Sequence, residues 1–250
     1  MYFKKIRVEK EQKEAGLNNN LLEVDNLKSR YETDKNVLDG CSFDIEENEI
    51  VALVGSNGSG KTTLIKTITD IHPKFDANNI NFRGKTINFS NEDFKLNRIA
   101  VFSEDNSFKY WTFSEYNEFL HRVYNREIDE EYQNHMIENF NFTQYINKPV
   151  KELSMGNKKK FFIIAALGLK LPLVILDEPV DGLDFEGAVF LYKIMRDYKK
   201  YGSILMATHI LESITESCDT YILLDHGKLS EKTTVDSDLT SEKILQNFKG

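Results

Sequence analysis

The sequence predicts an α/β fold: a mostly parallel sheet, an antiparallel β-lobe beside it and a helical insertion between two of its strands. Three stretches carry that prediction. Ile50 to Val54 is an unbroken apolar run with three β-branched residues, as expected of a strand buried on both faces. It runs into Gly55-Ser56-Asn57-Gly58-Ser59-Gly60-Lys61-Thr62, which fits G-x-x-x-x-G-K-[ST], and a helix-compatible segment opens at Thr62. Farther on, Leu173 to Leu176, Ser203 to Thr208 and Thr220 to Leu224 read as strands, with Phe185 to Lys200 a helix between the first two.

The loop has the chemistry of a phosphate cradle. Glycines let successive backbone N–H groups converge on phosphate oxygens, and the following helix adds its positive end. Lys61 brings a charge to the β- and γ-phosphates, the Thr62 hydroxyl is a ligand for Mg²⁺, and Thr63 completes the run. A Gly/Ser-rich surface loop that binds nothing is the alternative. A buried strand before the motif and a helix after it argue against that.

In chain order, residues 1–19 mix both charges without periodicity and read as an N-terminal extension, leaving 20–250 as one domain. Leu21 to Tyr31 and Cys41 to Ile45 partly alternate apolar and polar residues, as half-exposed antiparallel strands do. Ile80 to Ile87 reads as a hairpin turning at Gly84. Arg98 to Phe102 is a short buried strand. About 105–150 is aromatic and charged, and Ser114 to Leu120 and Glu130 to Phe140 suit amphipathic helices.

Leu173 to Leu176 ends in Asp177-Glu178. Beside a phosphate loop, Asp177 is placed to hold the Mg²⁺ shell and Glu178 to deprotonate or orient a water. Without the loop, two solvated acids before Pro179 would be the simpler reading. Thr208-His209 closes the next strand, where ligands also collect, and makes His209 a candidate γ-phosphate contact.

In this order the motifs closely resemble those of the ATP-binding-cassette (ABC) ATPases, over roughly residues 21–230. Leu153-Ser154-Met155-Gly156-Asn157 resembles the family signature LSGGQ, departing at Met155 and Asn157, with Lys160 where Arg is common. Val180 to Asp184 resembles the D-loop, His209 the switch histidine, and Tyr31 falls where the family stacks an aromatic on adenine. The resemblance implies a phosphate-loop NTPase core of RecA-like type, with an antiparallel β subdomain and an inserted α-helical subdomain. It implies ATP and Mg²⁺ as cofactors, with Thr62 and Asp177 holding the metal. Lys61, Glu178 and His209 would be catalytic.

It further implies a head-to-tail dimer, in which Ser154 and Gly156 meet the ATP held by the other chain. Glu104 stands where the family usually carries Gln. A carboxylate there can still serve the metal shell, but it adds negative charge near the triphosphate. Lys158 to Lys160, taken alone, read as a solvated basic face.

Composition narrows the rest. The chain has 250 residues and a net charge of −8, which argues against broad nucleic-acid binding. Cys41 and Cys218 lack metal-ligand spacing and read as two buried thiols in a reducing compartment. The opening MYFKKIRVEK is no signal peptide, and the longest apolar run, Phe161 to Leu169, is far shorter than the ~20 residues a bilayer needs.

The expected role is the cytoplasmic ATPase subunit of a transporter, a homodimer of two identical cassettes docked on a separate membrane-spanning permease. The lone cassette, the LSMGN signature and the short chain after Gly227 resemble separate-subunit exporters of drugs, peptides or bacteriocins. The aromatic stretch Thr112 to Tyr124 is either the docking surface or core packing of the insertion. A soluble ABC ATPase, such as the iron–sulfur assembly ATPase, is the alternative function. A phosphate-loop kinase leaves Leu153 to Gly156 unexplained.

Overall fold

The computed structural model describes residues 19–31, 36–72, 74–103, 107–236, 239–240 and 243–244. In order these form β1 (Asn20–Arg30), β2 (Asn36–Glu46), β3 (Ile50–Val54), α1 (Lys61–Ile68), β4 (Phe75–Asp76), β5 (Asn79–Phe82), β6 (Lys85–Thr86), α2 (Glu92–Leu96) and β7 (Arg98–Val101). Then come α3 (Phe113–Val123), α4 (Glu130–Asn139), α5 (Met155–Gly168), β8 (Leu173–Asp177), α6 (Phe185–Tyr198) and β9 (Ser203–Thr208). The last elements are α7 (Leu211–Ser217), β10 (Thr220–Asp225), β11 (Lys228–Leu229) and β12 (Thr233–Thr234). The expected N-terminal extension, apart from Asn19, lies outside the described residues.

β10, β3, β9, β8 and β7 lie side by side and parallel, with β11 and β12 antiparallel on β10. Every residue of β3, β8 and β9 is buried, because both faces of the sheet are covered. Val174, Leu176, Ile204 and Met206 join the core that holds Phe161 and Leu191 of the helices. Their neighbours Leu173, Ile175, Leu205 and Ala207 join the core on the other side, with Leu64 and Ile65 of α1. Two covered faces explain why these strands show no polar alternation in sequence.

The antiparallel sheet runs β2-β1-β5-β6, with β4 also on β1. Leu22, Val24, Phe43 and Ile45 turn inward onto the same core as α1, while intervening residues face solvent. The β5–β6 hairpin turns through Arg83 and Gly84 at φ 50° and 72°, two left-handed residues, as the twist of a two-residue hairpin demands.

The helical insertion sits between β7 and β8. Thr112 opens α3 with a capping box, its backbone N–H donating to Glu115 Oε2 at 2.8 Å. Phe113, Tyr116 and Leu120 are buried. Phe113 meets Phe161 of α5 edge-on, with ring centroids 5.5 Å apart. The other side of α3 exposes Phe119 and Val123, and Phe108 and Tyr110 lie exposed just before it. The stretch 112–124 therefore divides in two: one stripe is core packing, as one of the two expectations had it, and the other is exposed.

No helix among the described residues is long and apolar enough to cross a membrane. Both cysteines are free. Burial pushes the Cys41 thiol up to about 11 and the Cys218 thiol up to about 12, although Cys218 as a whole residue is half-buried.

The division of α3 into two stripes is testable by thermal unfolding. Phe113→Ala removes a buried ring packed edge-on against Phe161 and is expected to cost about 3–5 kcal/mol, typical of buried aromatic truncation. Val123→Ala, at an exposed position of the same helix, is expected to stay within about 0.5 kcal/mol of the parent. Equal losses would contradict the assignment of inner and outer stripes.

Candidate nucleotide site

The carboxyl ends of β3, β9, β8 and β7 converge on one cleft, where open α/β sheets place ligands. The cleft holds about 600 Å³ and is lined by Ser56, Lys61, Thr62, Ser103, Glu178 and Asp181, among others. Each group arrives from the turn after a buried strand or, for Lys61 and Thr62, from the first turn of α1.

The loop Gly55 to Thr62 wraps the start of α1. Gly60 precedes the helix at φ 114°, a conformation open to glycine and costly to other residues. The start of α1 has no side-chain cap and no acid in its first turn. Thr112, Asp129 and Asp184 cap α3, α4 and α6 with their side chains, so the bare N–H groups of α1 are the exception among those helices. A phosphate group is the natural partner for such an end.

Lys61 is 6% exposed, and a buried ammonium must keep its donors satisfied. Its Nζ donates to Gly55 O at 2.7 Å and Ser56 O at 3.3 Å, and lies 3.3 Å from Glu178 Oε1.

Thr62 Oγ1 donates to Asp177 Oδ2 at 3.2 Å, and Ser103 Oγ donates to the same oxygen at 3.3 Å. Asp177 is 1% exposed and its Oδ1 has no hydrogen-bond partner. An orphaned buried carboxylate oxygen is costly, and with the Thr62 hydroxyl alongside it fits a hard, oxygen-seeking divalent cation such as Mg²⁺. Glu104, the third expected ligand, lies outside the described residues. Ser103, which sequence reading passed over, is the neighbour whose side chain touches Asp177.

Glu178 sits at φ 47°, left-handed for a residue with a side chain, and its N–H donates to Ala207 O at 2.9 Å. Such strain persists only where surrounding contacts over-determine it. The conformation turns its carboxylate into the cleft, with Oε2 3.0 Å from His209 Nδ1. An ionised carboxylate only accepts, so the proton of this bond sits on His209 Nδ1. Asp181, which the sequence offered only as part of the D-loop resemblance, brings a ligand atom within 4.8 Å of those of Glu178 and His209.

The signature residues divide between two places. Ser154 caps α5, accepting from Asn157 N at 3.3 Å, and Leu153 is buried beneath it. Ser154, Gly156 and Asn157 line a separate polar pocket with Asp184. Only Met155, 67% exposed, lines the phosphate-loop cleft of its own chain. A Cβ on Gly156 would lie 2.2 Å from Gly182 O, so its missing side chain already serves a contact within this chain.

Lys159 and Lys160 are buried, which overturns the solvated-face expectation for two of the three lysines. α5 is enclosed along most of its length, so lysines in its first turns must find partners inside. Lys160 pairs with Asp184 at 3.1 Å, and that bond holds the Asp184 carboxyl below its usual range. Burial lowers the pKa of Lys159 against the opposing pull of Asp177, Asp181 and Glu178.

Tyr31 is half exposed. Its hydroxyl lies 3.4 Å from Thr63 Oγ1, and its ring packs on His72 with centroids 4.4 Å apart. One ring face is thus braced by a residue the sequence did not single out.

Comparison with known proteins agrees with this arrangement. The ABC transporter family matches residues 38–181. The chain is 32% identical over 217 residues to the putative ABC transporter ATP-binding protein AlbC of Bacillus subtilis, covering 85% of this chain and 90% of that one. It is 28% identical to the zinc import ATP-binding protein ZnuC of a Wolbachia species, covering 88% and 89% respectively. Among solved structures, an ATP-binding subunit of an ABC transporter superposes with a TM-score of 0.80 at 27% identity, covering 92% of this chain and all of that one. The ATP-bound structure of a bacterial Atm1-family ABC exporter shares the fold, with a TM-score of 0.75 at 22% identity, covering 94% of this chain and 41% of that one.

The contact at Gly156 makes a prediction. Gly156→Ala drives a methyl group into the Gly182 carbonyl and is expected to cost about 1–3 kcal/mol, as overpacking does. Ser154→Ala loses only a helix cap, about 1 kcal/mol. Thermal melts of the two variants check this, and a Gly156→Ala protein as stable as the parent would contradict the close approach.

Proposed function

This chain belongs to the ATP-binding family of ABC transporters and hydrolyses ATP to power transport, and we propose that it does so as a head-to-tail dimer beneath a separate membrane subunit. One observation carries the dimer reading. Lys61, Thr62, Asp177, Glu178 and His209 gather at one cleft, while Ser154, Gly156 and Asn157 line another. A nucleotide on the phosphate loop therefore lacks the signature hydroxyl until a second copy supplies it.

In this reading the triphosphate takes the bare N–H groups of α1, and the Lys61 ammonium exchanges the Gly55 and Ser56 carbonyls for β/γ-phosphate oxygens. Thr62 and Asp177 are the residues that would hold Mg²⁺, which when bound neutralises charge on those phosphates. Glu178 loses its Lys61 partner to the phosphate and is left to accept a proton from the attacking water, while His209 keeps its carboxylate in place. Ser154 Oγ already accepts from Asn157 N, so its own O–H stays available to donate to the γ-phosphate of the opposite chain. Tyr31 offers its open ring face to the adenine.

The exposed stripe of Phe108, Tyr110, Phe119 and Val123 supports docking on an apolar partner. That partner is read as a permease, with this chain peripheral on the inner face of the cell membrane. The net charge of −8 gives no support to a nucleic-acid partner. Export is the direction favoured by the LSMGN signature, although a relative of similar identity is named for zinc import.

Glu178→Gln tests the reading. It removes the base but keeps Lys61, Thr62 and the loop N–H groups, so turnover is expected to fall at least about a hundredfold, the scale of general-base catalysis, with ATP binding intact. Size exclusion with Mg·ATP should then show a trapped dimer. Near-normal hydrolysis would remove Glu178 from the mechanism, and a monomer at saturating ATP would remove the head-to-tail site. Recovery of the tagged chain from cytosol alone, with no membrane protein in detergent extract, would favour the soluble ATPase alternative.

A further inference from the structure

The first turns of α5 present different faces to different parts of the site. Met155 and Lys159 are four residues apart and share a face, as do Gly156 and Lys160. The second pair touches the loop before α6, through Gly182 and Asp184. The first pair faces the chain's own cleft: Met155 lines it, and Lys159 lies beneath it.

Lys159 is 4% exposed, yet its charge is spent on backbone. Its Nζ donates to Glu178 O at 3.1 Å, Asp177 O at 3.3 Å and Ser103 O at 3.4 Å. An ammonium has three N–H donors, and here three carbonyls take them. The carbonyls belong to the residue proposed to bind Mg²⁺, the proposed base and the serine that holds Asp177 Oδ2. One of them belongs to Glu178 itself, whose left-handed backbone needs outside support to keep its carboxylate aimed at Lys61 and His209.

We propose that Lys159 is a positioning residue for hydrolysis: it ties the signature helix to the carbonyls of Ser103, Asp177 and Glu178, and so sets the aim of the base. The tether makes the two ends of one chain interdependent. Ser154 at the start of α5 would meet the partner's nucleotide, and Lys159 one turn on holds the base that acts on the chain's own nucleotide. Engagement of the signature by one ATP thus bears on the base at the other site. The proposal rests on the reading of Glu178 as base, and the variants below separate the two.

Steady-state ATPase assays on the full-length chain compare Lys159→Met, Lys159→Gln and the parent. Met matches the length and removes every donor, whereas the Gln amide keeps two. Lys159→Met is expected to lower kcat more than about tenfold with KM for ATP within about threefold, and Lys159→Gln to recover most of the loss. In a Glu178→Gln background, Lys159→Met should leave unchanged, within about threefold, the ATP concentration that half-saturates the trapped dimer.

A kcat loss below tenfold, a KM that rises in step with the loss, or a Gln variant no better than Met overturns the proposal. So does a dimer that needs much more ATP, because Lys159 would then serve binding or folding. Failure of the base reading shows separately, as near-normal turnover by Glu178→Gln alone.

Discussion

The site depends on a buried lysine whose partners are two loop carbonyls and one carboxylate. Lys61 keeps its charge out of water by leaning on two carbonyls of its own loop and on the Glu178 carboxylate. Breaking a buried ion pair costs about 3–5 kcal/mol when one partner is simply removed. A phosphate that replaces those partners avoids that cost, because the ammonium stays paired throughout. In the proposed exchange Glu178 is released as well, so the arrival of the triphosphate and the freeing of the base would be one electrostatic event.

That event needs rigid surroundings, and the sheet provides them. β3, β9 and β8 are buried along their whole lengths, so the residues at their carboxyl ends have little freedom. No residue of the parallel strands β3, β7, β8, β9 and β10 has left-handed backbone, whereas Gly60 at the start of α1 and Glu178 after β8 both do. In the antiparallel sheet and the outer face of α3, by contrast, half of each element meets solvent. The proposed chemistry is built on the most buried strands of the molecule and the proposed docking stripe on an exposed face.

Much of this was legible in the sequence, for physical reasons. Strands buried on both faces leave continuous apolar runs, and a phosphate loop needs glycines and a lysine at fixed offsets, so β3, β8, β9 and Gly55 to Thr62 announced themselves. Contacts made through backbone were not legible. Lys159 looked like one of three surface lysines because its partners are carbonyls, which leave no trace in residue identity. Ser103 was hidden because its role comes from the ends of β7 and β8 being brought together by the fold. Gly156 was read for its approach to a partner's phosphate, whereas its nearest neighbour is Gly182 of the same chain.

The central claim is that the Lys61 ammonium is held ready for a triphosphate. Isothermal calorimetry of ATP with Lys61→Ala, set against the parent chain, tests it most directly. Loss of a charge-assisted hydrogen bond, about 1.5–3 kcal/mol, predicts affinity lower by roughly ten- to a hundredfold. An affinity equal to the parent's would contradict the account.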